Sequence, residues 1–132
     1  MPSTGRRDLV ANRWEPFVHT VAFEGFDYSA ATFAMQVRLT PDAAGSPLVS
    51  LATVGSIGTE GITITGTTVA GGITTTNISV RINEATMAAL PLPAERGATM
   101  LLAWDMQITP SGGGTKFRVL EGAFTVSPGV TH

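Results

Sequence analysis

Hydrophobic and polar residues alternate with a period of two along several stretches of this 132-residue chain. The longest such stretches are residues 32–39, 99–109 and 115–126, and the last two are separated by the turn-forming sequence PSGGG. Strict alternation is typical of a β-strand that has one buried and one solvated face, as in antiparallel sheets. The pattern therefore predicts a β-rich domain that closes with a long hairpin.

Further short alternating or apolar segments lie between clusters of glycine, proline and other turn-forming residues. In all, strands are predicted at residues 17–23, 32–39, 48–54, 62–65, 73–82, 99–109 and 115–126. In the last of them Gly122 interrupts the alternation, which predicts a β-bulge near Glu121 and Gly122. One short helix is predicted at residues 83–90, because Asn83 is a favourable N-cap, Glu84 suits the positive helix end and Pro91 ends the helix.

About seven short strands with regular turn signals predict an all-β fold, an antiparallel β-sandwich of immunoglobulin-like outline with one short α-helix. Residues 1–14 are polar and show no sustained period, so they are expected to form an N-terminal arm. Such an arm is either disordered or ordered by a neighbouring subunit. Residues 15–132 are expected to form a single domain that folds without it.

The composition points away from several classes of function. The net charge of −2 and the absence of a basic stripe argue against nucleic-acid binding. There is no cysteine, which excludes disulfides and thiolate sites. No apolar run approaches the roughly 20 residues that cross a bilayer, and residues 1–14 lack the apolar segment of a secretory signal. We therefore expect a chain made in the cytoplasm without membrane insertion.

Only 14% of residues are charged. The uncharged residues include 19 threonines and 15 glycines. Threonine suits a pleated, half-exposed surface. A weakly charged surface is poorly protected against self-association. This composition favours a protein that is a subunit of an assembly and forms a homo-oligomer, such as a ring or trimer.

Residue types that carry catalysis are sparse. His19 is the one internal histidine, and no metal-ligand spacing surrounds it. The carboxylates are dispersed over Glu24, Asp27, Asp42, Glu60, Asp105 and Glu121. Two of them could converge in space as glycosidases require, but sequence does not test this. The glycines at 55, 58 and 61 and the GGGTK segment at 112–116 predict turns. We therefore predict no catalytic residues, no cofactor and no metal.

The remaining features favour binding to another protein over catalysis. Trp14, Phe26 and Tyr28 are candidate contact residues, since aromatic side chains dominate interface energetics. The alternative is that these rings fill the ends of the sandwich. Residues Thr74, Thr75 and Thr76 are predicted to form a hydroxyl-rich strand edge, which is either solvated or able to accept a strand of another chain.

Several short segments resemble a family of tailed-bacteriophage proteins. They are Phe23-Glu24-Gly25-x-Asp27, the run AATFAMQVR at 30–38, WDMQI at 104–108, and the ending LEGAFTVSPGVT at 120–131. In this order, with threonine strands between them, they are similar to the β-sandwich N-terminal domains of baseplate upper proteins and related small tail proteins. The resemblance implies a β-sandwich without an active site.

The resemblance also implies a function: a non-enzymatic structural component of a phage or prophage-derived tail, near the tail tip or baseplate. Such a component would reside in the virion, contact other tail and baseplate proteins and help attach fibres or receptor-binding proteins. Two alternatives remain open from the sequence. One is a carbohydrate-binding β-sandwich module that uses the same aromatic residues, and the other is a capsid or head–tail accessory protein.

Overall fold

A computed structural model describes residues 5–25, 28, 30–41, 45–56, 58–90, 98–110 and 115–128. Nine strands and one helix lie within these ranges. Their bounds are β1 Gly5–Arg6, β2 Leu9–Asn12, β3 Phe17–Glu24, β4 Thr32–Arg38, β5 Val49–Ala52, β6 Gly61–Ala70, β7 Ile73–Ile82, α1 Glu84–Ala88, β8 Met100–Thr109 and β9 Phe117–Ser127. Each of the seven predicted strands corresponds to one of β3–β9. The helix does not have the length or composition to cross a membrane, and the described residues contain no other helix.

The strands form two sheets, which confirms the all-β, sandwich-like fold. The first sheet has six strands in the order β1-β9-β8-β4-β5, with β2 also paired to β9. The second sheet has three strands in the order β3-β7-β6. The alternating apolar faces of the strands supply the buried core, in which Met35, Met106 and Ile78 are fully buried. Packing these faces together removes apolar surface from water, which is the main stabilising term of such a fold.

Aromatic contacts connect the two sheets. The rings of Phe17 on β3 and Phe124 on β9 meet edge to face, with centroids 5.2 Å apart. At the other end of β3, Phe23 stacks on Phe33 of β4 at 6.2 Å. These geometries are the preferred ones for aromatic pairs and add to the energy of burial. The sheets are therefore joined near both ends of β3.

The helix is shorter than predicted, and its first turn is organised differently. It covers Glu84–Ala88, and the side chain of Asn83 makes no capping hydrogen bond. Instead, Asn83 Oδ1 accepts a hydrogen bond from Arg81 Nε at 2.9 Å, while Glu60 Oε2 accepts one from the Asn83 backbone N–H at 2.7 Å. A long-range carboxylate therefore receives the N–H at the helix start, which local sequence does not reveal. Pro91, the predicted stop, lies outside the described residues.

The N-terminal segment is part of the sheet, which corrects the expected boundary at residue 14. Strands β1 and β2 pair in parallel with β9 of the same chain, with Leu9 opposite Phe124 and Ala11 opposite Val126. Leu9 and Ala11 are both buried. The interpretation as an arm failed because four alternating residues are too short a run to stand out beside the polar stretch before them. Pairing with β9, far along the chain, supplies the order.

Gly122 allows the N-terminal segment to run close alongside β9. Between β1 and β2, the backbone at Arg7 approaches so closely that a Cβ at position 122 would overlap the Arg7 carbonyl oxygen. That oxygen accepts a hydrogen bond from Trp104 Nε1 at 2.9 Å. The Asp8 carboxylate accepts another from the Ala123 N–H at 3.0 Å. These two side-chain hydrogen bonds replace backbone–backbone hydrogen bonds between the N-terminal segment and β9 where the strand is interrupted.

The predicted bulge lies at a different residue of the same strand. Met106 faces Leu120, but the next residue, Gln107, faces Arg118, so Val119 is the extra residue in β9. Val119 and Leu120 are therefore both buried although they are neighbours in sequence. Gly122 interrupts the apolar alternation because of the close Arg7 backbone, whereas the shift in register occurs at Val119.

The burial of β2 predicts a contrast between two neighbouring residues. Leu9 is buried, whereas Val10 is 69% exposed. We expect Leu9→Ala to lower the free energy of unfolding by about 2–4 kcal/mol, because it empties space in the core. Val10→Ala should change it by less than about 0.5 kcal/mol. Urea denaturation of both variants measures this, and equal, negligible effects would mean that β2 is an independent arm.

A second contrast concerns two strand glycines. Gly122→Ala should lower the free energy of unfolding by about 2–4 kcal/mol, because the added methyl group displaces the Arg7 backbone and its bond to Trp104. Gly66→Ala is the matched control, since a Cβ at Gly66 meets nothing within 4 Å. The measurement is the urea midpoint together with tryptophan fluorescence. A Gly122→Ala variant as stable as Gly66→Ala would contradict the close approach of the Arg7 backbone to Gly122.

Candidate functional site

The hairpin formed by β6 and β7 extends beyond the core. At its base Ile62 and Val80 are buried, but residues 65–70 are all exposed. Gly71 and Gly72 close the hairpin with φ values of 58° and 79°. Positive φ at both central residues is the requirement of a type I′ turn, which matches the twist of the two strands. The hairpin is thus a regular extension of the second sheet.

The exposed part of the hairpin includes an apolar residue on its inner face. Val69 faces Thr74 across the hairpin and lies on the same side as Thr76 and Ile78, which are buried further along β7. Val69 is nevertheless 72% exposed. The inner face of the sheet therefore continues past the point where the six-stranded sheet covers it.

The outer edge of β6 is the longest strand edge with no charge. Within the described residues, strand pairing on this side is limited to the bridge from Thr53 to Ile62, where the Val54 N–H donates to the Ile62 carbonyl at 2.9 Å, and the Thr63 hydroxyl group donates to the Ser56 carbonyl nearby. From Ile64 to Ala70 the strand then carries neither a charged residue nor a proline. Folded proteins commonly protect edges with such residues, because unpaired N–H and C=O groups are a template for another strand. The β6 edge lacks that protection, so it is the candidate functional site.

Sequence reasoning missed this site. The predicted strand stopped at residue 65, because Gly66 breaks the alternation, and the predicted edge was placed at Thr74–Thr76. Those threonines lie in β7, which is the central strand between β3 and β6. Thr76 is fully buried and its Oγ1 accepts a hydrogen bond from the Tyr28 N–H at 2.9 Å. A Gly-Gly pair between two threonine-rich runs was the available signal for a longer hairpin.

The structure describes two of the three candidate aromatic residues, Tyr28 and Trp14, and neither is fully exposed. Tyr28 is buried, and its ring meets Phe23 edge to face at 5.5 Å. Burial also raises the pKa of its hydroxyl group. Trp14 is half-buried beside Arg13, and Phe26 lies outside the described residues. Tyr28 thus has the position that the alternative reading expected, inside the end of the sandwich.

Two of the dispersed carboxylates do converge. Asp105 and Glu121 lie directly opposite each other on β8 and β9. Arg118 lies between them, at 3.3 Å from Asp105 and 3.1 Å from Glu121. Arg6 and Arg38 line the same shallow groove, whose volume is about 190 Å³. A general acid requires a desolvated carboxyl group, whereas these side chains are 30% and 42% exposed and bound to an arginine.

The other candidates for chemistry have structural positions. Glu60 binds the backbone at the start of α1, as described above. Asp27, Asp42 and residues 112–114 of the GGGTK segment lie outside the described residues. Gly61 is the first residue of strand β6, not the start of a helix, and it packs against the Ala52 carbonyl. The described residues contain no cluster of three or more metal-ligating side chains.

His19 is held in its neutral form by its surroundings. Its ring stacks on Phe17 with centroids 6.1 Å apart, and its Nε2 atom is buried without a hydrogen-bond partner among the described residues. Burial lowers the pKa of His19 below its usual 6.5, and the nearby positive charge of Arg7 lowers that pKa further. A protonated ring would place a charge at a position with no acceptor for it.

This environment predicts a pH-dependent stability. The unfolded chain binds the histidine proton near pH 6.5, whereas the folded chain binds it only at lower pH. The His19 contribution is therefore complete above about pH 6.5 and is lost as the pH falls below that value. Urea midpoints between pH 8 and 5 should decline for the wild type and decline less for His19→Phe, which retains the ring. Parallel declines in both proteins would contradict this assignment.

Comparison of the chain with protein-family models, with curated proteins and with solved structures found no match. The functional argument therefore rests on the residues and geometry of this chain.

Proposed function

We propose that this protein is a non-enzymatic structural component of an assembly, which it joins through the β6 edge. The observation that supports this most directly is the combination of that uncharged edge with an exposed valine on a hairpin that extends past the core. Backbone groups along an unpaired edge bind a further strand with a row of hydrogen bonds. Affinity obtained in this way requires no pocket and no reactive side chain.

The proposed setting is a bacteriophage or prophage-derived tail, near the tail tip or baseplate. The resemblance of the segments at 23–38, 104–108 and 120–131 to tail-protein β-sandwich domains supports this setting, and the sandwich-like fold agrees with it. In that setting the protein would contact other tail or baseplate proteins and help attach fibres or receptor-binding proteins. It would act as a homo-oligomer in the particle.

The surface composition supports assembly over catalysis. Exposed apolar side chains occur on both sheets, among them Val10 and Leu101, which flank Thr125 on the outer face of the six-stranded sheet. Val69 and Ile73 are exposed near the hairpin turn. Exposed apolar residues grouped in this manner are typical of protein–protein contacts. The carbohydrate-binding alternative loses one of its stacking platforms, because the Tyr28 ring is buried.

The proposed setting is tested by locating the protein in particles. Antibody raised against the purified chain is conjugated to gold and applied to phage particles released by the source strain. Label at the tail end distal to the head is the expected result. Label at the head or the head–tail junction would favour a capsid or head–tail accessory protein. Particles that lack the protein, by labelling and by mass spectrometry, would overturn the virion assignment.

A further inference from the structure

We propose that β6 pairs antiparallel with β6 of a second copy of this chain, which joins two three-stranded sheets into one continuous six-stranded sheet. The inference rests on the proposed assembly function and names its first partner. Pairing of one segment with itself about a two-fold axis is an isologous contact and closes at two subunits. The building unit is then a dimer, in place of the ring or trimer expected from composition.

Hairpin geometry determines which backbone groups of β6 face outward. In a hairpin closed by two residues, the pair that flanks the turn exchanges both of its backbone hydrogen bonds. Ala70 and Ile73 are that pair. Because the direction alternates along an antiparallel strand, Thr68 also faces β7, whereas the N–H and C=O groups of Val69 and Thr67 point away from β7. These two residues supply the outward hydrogen-bonding groups.

The outward groups select one register for the pairing. If Thr68 lies on the two-fold axis, Thr67 of each copy is opposite Val69 of the other, and all four residues present N–H and C=O groups to each other. Residues that are directly opposite share a face of the sheet. Val69, which is 72% exposed in the isolated chain, then packs against the threonine methyl group of the other copy.

Charge favours a second copy as the occupant of this edge. In antiparallel self-pairing, residues close to the two-fold axis lie near their own symmetry mates, so a charge near the axis would meet a like charge, which is destabilising. The β6 strand from Gly61 to Ala70 has no charged residue. By contrast β3, the opposite edge of the same sheet, contains Glu24. Of the two edges of this sheet, β6 alone avoids like-charge contacts in every antiparallel register.

Sedimentation of the full chain tests the dimer. The contact is one strand edge and is therefore small, so we expect association in the micromolar range, at about 5–200 μM protein. The apparent mass should rise with concentration from 13.7 kDa toward twice that value. A wild-type chain that stays monomeric over the whole range would overturn the proposal.

Lysine variants test the edge. Val69→Lys should weaken dimerisation by about tenfold or more, because lysine on a strand edge opposes pairing. The matched control is Val18→Lys, since Val18 is an exposed valine on β3, the opposite edge strand of the same sheet. It should leave dimerisation unchanged within about twofold. Equal effects of the two variants would place the contact elsewhere and overturn the proposal.

Cross-linking tests the register. The chain has no cysteine, so Thr68→Cys introduces a single thiol, which the two-fold axis places opposite its mate. Opposed residues of a non-hydrogen-bonded pair have Cα atoms about 4.5 Å apart, within disulfide reach. Mild oxidation should give a covalent dimer, and Thr75→Cys, on the adjacent inner strand, should not. Cross-linking that is no faster for Thr68→Cys than for Thr75→Cys would overturn the register.

These outcomes are distinct from those of particle labelling. A chain that dimerises through β6 but is absent from particles overturns the tail setting and leaves the pairing intact. A chain that is present in tails but neither dimerises nor cross-links at Thr68→Cys overturns the pairing alone.

Discussion

The close approach of the Arg7 backbone to Gly122 is the constraint on which the six-stranded sheet depends. Strand β9 lies between β8 and the two N-terminal segments, so it must accept neighbours on both sides. The N-terminal strand is interrupted between Arg6 and Leu9, and the interruption lies where a side chain at position 122 would be. A residue without a Cβ leaves room for the Arg7 backbone, and the Trp104 indole and the Asp8 carboxylate satisfy the backbone groups that the interruption frees. This close approach explains why the Trp104 ring on β8, Gly122 on β9 and Asp8 between β1 and β2 meet at one point.

The edge strands of the two sheets differ in length. The first sheet ends at short strands, β1, β2 and β5, and short edges offer few groups to another chain. The second sheet ends at β6, whose ten residues include a long run exposed on both faces. Burial at Ile62 anchors this strand in the core, and among the described residues its distal half pairs only with β7. A rigid base with an exposed, uncharged edge is well suited to strand addition.

The chemistry of the described side chains is consistent with this division. The converging carboxylates are bound to Arg118, and the buried polar groups are used internally: Thr76 holds the Tyr28 backbone, and Arg13 donates to the Leu90 carbonyl at 2.8 Å. His19 is neutral and sits beside Phe17 at the boundary between the sheets. These polar contacts position strands and loops. The uncommitted hydrogen-bonding capacity that the structure displays most clearly is in the backbone of β6.

The sequence by itself determined the all-β class and the positions of the seven main strands, because period-two alternation and turn residues are local properties of the chain. It also identified a short helix, although not its Glu60 partner. Only the tertiary structure decided the place of residues 5–12, the bulge at Val119, the burial of Tyr28 and the identity of the free edge. Each of these features depends on which strands are neighbours in the folded chain. Strand β9 lies beside β2, and β3 and β6 lie on either side of β7. Pairing between segments far apart in sequence leaves no local trace in either segment, which is why alternation predicted the strands but not their neighbours.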